Sequence, residues 1–123
     1  MQYNIMSEFS FERNERLKLR RDFERLFEKD NRVINDFFVI VYCKNGLDHS
    51  RIGISVKRKF GNSPERNRLK RYLREIYRNN KTLFPVGIDY LFIPRKSLSK
   101  IFDKLELSDI KKMVLDLMGQ LKI

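Results

Sequence analysis

An α+β sandwich, with helices laid on one face of a small sheet, is the fold class this sequence predicts, and three observations predict it. Apolar patterning switches between helical and strand periods in the order α-β-β-α-β-α, without the strict alternation of a doubly wound fold. The first strand region is long enough to divide in two. The chain has 123 residues, 41% of them hydrophobic, with ten Phe and five Tyr. That suits one domain spanning 1–123 with a modest core. Five Gly and three Pro are too few for a disordered or collagen-like chain, and no repeat or internal linker interrupts the pattern.

Residues 1–15 are mixed and polar and are expected to be loosely ordered, with Phe9 and Phe11 available to tuck onto the body. In RRDFERLFEKD, Phe23, Leu26 and Phe27 fall at i, i+3 and i+4, the stripe of a short amphipathic helix. RVINDFFVIVYCK (32–44) is rich in β-branched and aromatic residues and predicts a strand, after which Asn45-Gly46 is the strongest hairpin signal in the chain. In RIGISVKRK, Ile52, Ile54 and Val56 alternate with Gly53, Ser55 and Lys57, predicting a half-buried strand that pairs back on its predecessor. A long helix follows, with Ser63 as its cap, Pro64 at the first helical position, Glu65 complementing the dipole and Asn79-Asn80 at its end. On that helix Leu69, Tyr72, Leu73, Ile76 and Tyr77 gather on one side. Arg66, Asn67, Lys70, Arg71, Arg74 and Arg78 form an adjoining cationic face, with Arg68 and Glu75 beyond it. IDYLFIP (88–94) reads as a strand stopped by Pro94, and LSKIFDKL (98–105) as a turn or two of helix. Ser108 then caps a last helix that carries Ile110, Met113, Val114, Leu117 and Leu121 at helical spacing. The one cysteine, Cys43, cannot form an internal disulfide and reads as a buried thiol at a strand end.

Charge is the outlier. Lys and Arg total 27 against 16 Asp and Glu, a net +11. Residues 51–80 hold ten basic and two acidic side chains, whereas the first fifty residues balance at nine against nine. A basic block in a balanced chain calls for a polyanionic partner, nucleic acid ahead of an anionic membrane surface. Seven of the ten are arginine, which forks onto phosphate and stacks on bases as lysine does not. A solvated helix face would interleave Glu with these cations, and this one barely does. The apolar side of the helix is bulky enough to be core, so no membrane partner is expected. For Phe23 and Phe27, spacing leaves core packing and a stacking platform for single-stranded nucleic acid both open.

Catalysis by the protein itself has little support. His49 stands alone in a polar segment, no Cys or His spacing suits zinc, and no phosphate-binding GxxxxGK[ST] loop is present. Asp22, Asp36, Asp48 and Asp89 are scattered, and nothing in the sequence brings them together. No catalytic or metal-ligating residue is therefore assigned. The N-terminus lacks the pattern of a signal peptide and no apolar run approaches 18 residues, so a soluble cytoplasmic protein is expected. No glycine-turn helix pair frames the arginine helix for a DNA groove, and no DNA partner is expected.

The stretch RIGISVKRKFGNSPERNRLKRYLREI resembles the signature of the bacterial ribonuclease P protein subunit: an R-[IV]-G-[IL]-[ST]-V strand, a lysine-rich turn ending in Gly-Asn, and an R-N-R-x-K-R helix. LKLRRDFERLF before it and DYLFIPRKSL after it extend the resemblance over roughly residues 16–121. The resemblance implies a two-layer α-β-β-β-α-β-α sandwich like a domain of ribosomal protein S5 (its domain 2), with a left-handed βαβ crossover. It implies a protein cofactor of a ribozyme that removes the 5′ leader of precursor tRNA. The chemistry there belongs to the RNA and its Mg²⁺, not to a protein metal site. The partners implied are ribonuclease P RNA and precursor tRNA, with a protein monomer in a 1:1 complex. By position, Arg66, Asn67, Arg68, Lys70, Arg71 and Arg74 correspond to the surface that docks on the RNA subunit. Phe23, Phe27, Ser55, Lys57, Arg58 and Lys59 correspond to a cleft for the leader. Two positions depart from the family pattern. Val41 stands where some relatives carry an aromatic, Tyr42 pointing to the opposite face. Pro94 replaces the usual alanine and is expected to shorten or bulge its strand. A general rRNA-binding protein of the same fold is the alternative reading.

Overall fold

The computed structural model describes residues 13–122; Phe9, Phe11 and most of the segment expected to be loose lie outside them. Residues Arg13–Glu15 form a 3-10 turn, followed by α1 (Arg20–Lys29), β1 (Asn31–Ile34), β2 (Phe38–Lys44), β3 (Arg51–Ile54), α2 (Ser63–Asn79), β4 (Ile88–Pro94), the short α3 (Lys96–Ser99) and α4 (Leu107–Met118). The long strand region is divided, as its length allowed. Asn35 divides it by accepting the N–H groups of Phe37 and Phe38 on its side-chain oxygen, at 2.9 and 2.8 Å, which closes the β1–β2 hairpin.

The four strands form one mixed sheet in the order β1-β2-β4-β3. This corrects the expectation that β3 pairs back on β2. The Asn45-Gly46 turn does form, with Gly46 at φ 74° and the Leu47 N–H bonded to Asn45 Oδ1 at 2.7 Å. Yet β4 lies between the two strands, antiparallel to β2 over seven residue pairs and parallel to β3 over four. Every residue from Ile88 to Phe92 is buried, so β4 needs neighbours on both edges and cover on both faces, and only a central position supplies them. Pro94 does not shorten or bulge its strand: the ladder runs unbroken to the Phe38–Pro94 pair. As the last residue it has no further ladder bond to lose.

Period-two alternation splits the core between the two faces. Ile40, Tyr42, Ile52, Tyr90 and Phe92 pack with Leu69, Leu73, Ile76 and Tyr77 of α2 and Ile110, Val114 and Leu117 of α4. Burying each such large apolar side chain contributes about 1.5–3 kcal/mol. On the other face Val41, Cys43 and Leu91 pack with Leu17 and Leu26, bordered by Phe23, Val39 and Ile93. The expectation of helices on one face thus holds for α2 and α4, while α1 lies across part of the opposite face.

Both long helices start one or two residues earlier than their sequences suggest. Asn62, not Ser63, caps α2: its Oδ1 accepts the Glu65 N–H at 2.9 Å and Glu65 returns the bond to the Asn62 N–H at 3.0 Å. Glu106, not Ser108, is the N-cap residue of α4, its backbone N–H donating to Asp109 Oδ2 at 2.8 Å. Asparagine and serine cap about equally well, so adjacent candidates are separated only by backbone geometry.

Candidate nucleic-acid interface

The cationic side of α2 is the first surface. With Leu69, Leu73, Ile76 and Tyr77 turned into the core, Asn67, Arg71 and Arg74 are exposed and Arg66 and Lys70 half-exposed. Among the described residues none of Arg66, Lys70, Arg71 or Arg74 forms an ion pair. Arg66 donates to Ser63 Oγ at 2.9 Å, which holds its guanidinium near the helix start. Arg68 points another way. It donates to the Phe102 carbonyl oxygen at 2.9 Å and lies 4.3 Å from the Phe102 ring centroid, so its fork is already engaged within the fold.

The second surface is the sheet face that α1 leaves uncovered. Phe27 is 51% exposed, and Ile34, opposite Val39 in the β1–β2 register, is 48% exposed. Phe23 is half-buried, its ring against Leu17 and Leu91 over Gly53. Ile93 borders both this apolar strip and an open concavity of about 500 Å³ lined by Ser55, Lys57, Lys59, Arg95 and Lys96. Ser55 follows β3 directly and donates its backbone N–H to the Phe92 carbonyl at 3.0 Å, which fixes it at the sheet rim. Arg58 is exposed in the 3-10 turn Arg58–Phe60 and does not line that concavity. An aromatic and aliphatic strip beside a rim of cations suits stacked bases with phosphates alongside.

The two surfaces meet. Lys70 and Arg74 of α2 share a concavity of about 230 Å³ with Phe23 of α1 and with Arg16 and Lys18, which precede it. The segment before α1 is brought there by the Leu17 N–H, which donates to the Ile52 carbonyl at 2.9 Å on the open edge of β3. Sequence reasoning missed Arg16, Lys18, Arg95 and Lys96. For the last two the signal was the Arg-Lys pair directly after a strand, and for the first two only the sheet edge reveals it.

Two of the scattered aspartates do converge. Asp89 is fully buried and Asp22 nearly so, and both are gripped by Arg51 and Arg25. Arg51 forks onto Asp89 at 2.8 and 2.7 Å, and that carboxylate holds the guanidinium above its ordinary pKa. Both carboxylates are thus taken up as bond partners of two guanidiniums inside the fold. Arg51 therefore leaves the basic block to serve the fold. His49 bridges Asp48 at 2.9 Å and the Asn14 carbonyl at 3.1 Å, a tie between two loops.

Comparison with known proteins bears on the family and the fold. The Ribonuclease P family model matches residues 11–122. The ribonuclease P protein component of Petrotoga mobilis is 51% identical over 113 residues, covering 92% of this chain and 96% of the relative. The RNase P protein from Thermotoga maritima superposes with a TM-score of 0.82 at 45% identity, over 89% of this chain and 99% of that one. An RNase P protein mutant from Staphylococcus aureus does so with a TM-score of 0.78 at 31% identity, over 89% of each chain. With residues 11–122 matched and strand and helix order shared, the chain belongs to the ribonuclease P protein family.

Proposed function

We propose that this protein binds the RNA subunit of ribonuclease P through α2 and the 5′ leader of precursor tRNA in the cleft between α1 and the sheet, so promoting endonucleolytic removal of the leader. The observation that carries the reading is the meeting of two unlike surfaces: a ridge on α2 whose Arg66, Lys70, Arg71 and Arg74 form no ion pair among the described residues, and an exposed aromatic strip with a cationic rim beside it. The ridge suits a folded RNA, whose phosphates are spaced over its surface. The strip suits an extended single strand, held by stacking and phosphate contacts and little by base identity. Arg66, Asn67, Lys70, Arg71 and Arg74 dock on the RNA subunit, with Arg68 acting from behind through Phe102. Phe27 stacks on the leader, Phe23 supports it, and Ser55, Lys57, Lys59, Arg95 and Lys96 follow its backbone, Arg58 lying at the outer edge.

Mg²⁺ belongs with the RNA in this reading, where it would activate water and stabilise the leaving oxygen. Ammonium and guanidinium groups match phosphate oxygens and repel a divalent cation, so the rim that holds the leader is not a metal site. The protein's part is to bind and orient the substrate.

The test is cleavage of 5′-labelled precursor tRNA at low Mg²⁺ by a bacterial ribonuclease P RNA, with and without the protein, and by the protein alone. Cleavage at the mature 5′ end only when RNA and protein are combined is the expected result. Cutting by the protein alone would contradict it. Failure to stimulate the RNA would favour the general RNA-binding reading.

A further inference from the structure

The α1 wall of the cleft stands on thin apolar support. Of its ten residues only Asp22 and Leu26 are buried. A helix this short is not stable alone. Leu26 and the half-buried Phe23 choose the face of α1 that meets the sheet, but non-directional contact leaves its finer rotation open. Charge sets it. Asp22 and Arg25, one turn apart on α1, meet Arg51 of β3 and Asp89 of β4 in a closed square. Asp22 lies 3.3 Å from Arg25 and 3.2 Å from Arg51; Asp89 lies 3.1 Å from Arg25 and 2.7 Å from Arg51. Each carboxylate touches both guanidiniums, and like charges occupy the diagonals. Asn45 adds a bond to Asp89 at 2.9 Å from the loop after β2. Turning α1 by one residue, about 100°, would part Asp22 from Arg51 and Arg25 from Asp89 together. Gly53 adds a steric restraint: a Cβ there would sit 3.1–3.2 Å from Leu17, Leu91 and the Phe23 ring, so its absence lets that ring lie on the sheet.

We propose that Asp22, Arg25, Arg51 and Asp89 are positioning residues for leader recognition: they set the rotation of α1 and, through it, where Phe23 and Phe27 stand over the cleft. This rests on the reading of that cleft as the leader site. Buried ion pairs often contribute little stability beyond what apolar residues of the same volume would give, but they demand one geometry, and a helix held by one buried leucine and the half-buried Phe23 gains from that demand. Phe27 is one turn beyond Phe23 on the same side of α1, so a rotation of α1 moves both rings together.

The experiment compares Asp22→Asn and Arg51→Lys with the unsubstituted protein in reconstituted holoenzyme, at a temperature where circular dichroism shows all three folded. Binding of precursor tRNA and of mature tRNA is measured, together with amide exchange along α1. For Asp22→Asn, precursor affinity is expected to fall about tenfold, a size usual for coupling through contact networks, with mature tRNA affinity within about twofold. The α1 amides are expected to lose protection while those of α2 and α4 keep it. Arg51→Lys keeps the charge without the fork and is expected to fall between. An unchanged precursor-to-mature ratio in folded Asp22→Asn protein would overturn the proposal and leave the square a stabilising element only. If the unsubstituted protein itself shows no preference for precursor, the leader reading fails, and the positioning role with it; the exchange data then still report whether the square holds the helix.

Discussion

Phe23 and Phe27 are one helical turn apart and look equivalent in sequence, yet the structure gives them different work. Phe27 presents half its surface to solvent, and Phe23 lies partly in the small cluster beneath α1. Phe27→Ala is expected to weaken precursor binding by about 1–3 kcal/mol, the range for one stacked base, without moving the thermal midpoint. Phe23→Ala is expected to lower that midpoint as well, which thermal unfolding monitored by circular dichroism would show. The arginines divide similarly. Arg66→Ala and Arg71→Ala should each weaken assembly with the RNA subunit and make the log–log salt slope shallower by somewhat less than one unit. Arg68→Ala, which loses a bond to Phe102 and contact with its ring, should cost about 1 kcal/mol of folding stability. Titrations of RNA against protein at several salt concentrations separate the two kinds of arginine.

At the scale of elements, amphipathic stripes and caps make the helix starts legible to within two residues, whereas Leu121, read as part of the last helix, lies beyond its end at Met118. For α2 the apolar stripe read from a helical wheel is the buried face found, because 3.6 residues per turn leaves no other arrangement for those positions. Its cap lies one residue earlier, at Asn62. Asn62→Ala is expected to destabilise the protein by about 1 kcal/mol and lower the melting temperature by a few degrees. Ser63→Ala should be near neutral. Reversal of that order in a melting experiment would restore Ser63 as the cap. The strands were legible as strands and not as neighbours: a turn signal reports that the chain reverses, but says nothing of which strand fills the space beside it.

Across the whole molecule, the segment before α1 is tied to α2 by charge and hydrogen bonds. Glu15, buried, accepts the Tyr77 hydroxyl at 2.8 Å and pairs with Lys81 at 3.0 Å. Burial first, and then Glu15, push the Tyr77 phenol well above its ordinary 10.0, and burial does the same to Tyr90. A group whose folded pKa is raised binds its proton longer in the folded state than in the unfolded one. Its contribution is therefore complete below pH 10.0 and drains away as the pH climbs from there toward the raised value. Stability measured by urea unfolding should accordingly fall steeply above about pH 10, and Tyr77→Phe should flatten that fall. The net charge of +11 acts at the same scale. Neutralising five or six phosphates would give a salt slope of roughly −4 on single-stranded RNA, and a slope near zero would show that the basic block does not meet the backbone.

By itself the sequence determined the fold class, the buried sides of α2 and α4 and the presence of a cationic ridge. These follow from local periodicity and from charges crowded into one segment, and both are properties of neighbouring residues. Only the tertiary structure decided which strands adjoin, that Arg51 and Arg68 serve the fold while Arg66, Arg71 and Arg74 face outward, and that Asp22 and Asp89, 67 positions apart, share two guanidiniums. Those outcomes depend on burying β4 from both faces and on satisfying the charge buried with it. No stretch of chain carries that condition alone, because the partners that meet it come from α1, β3 and β4 at once.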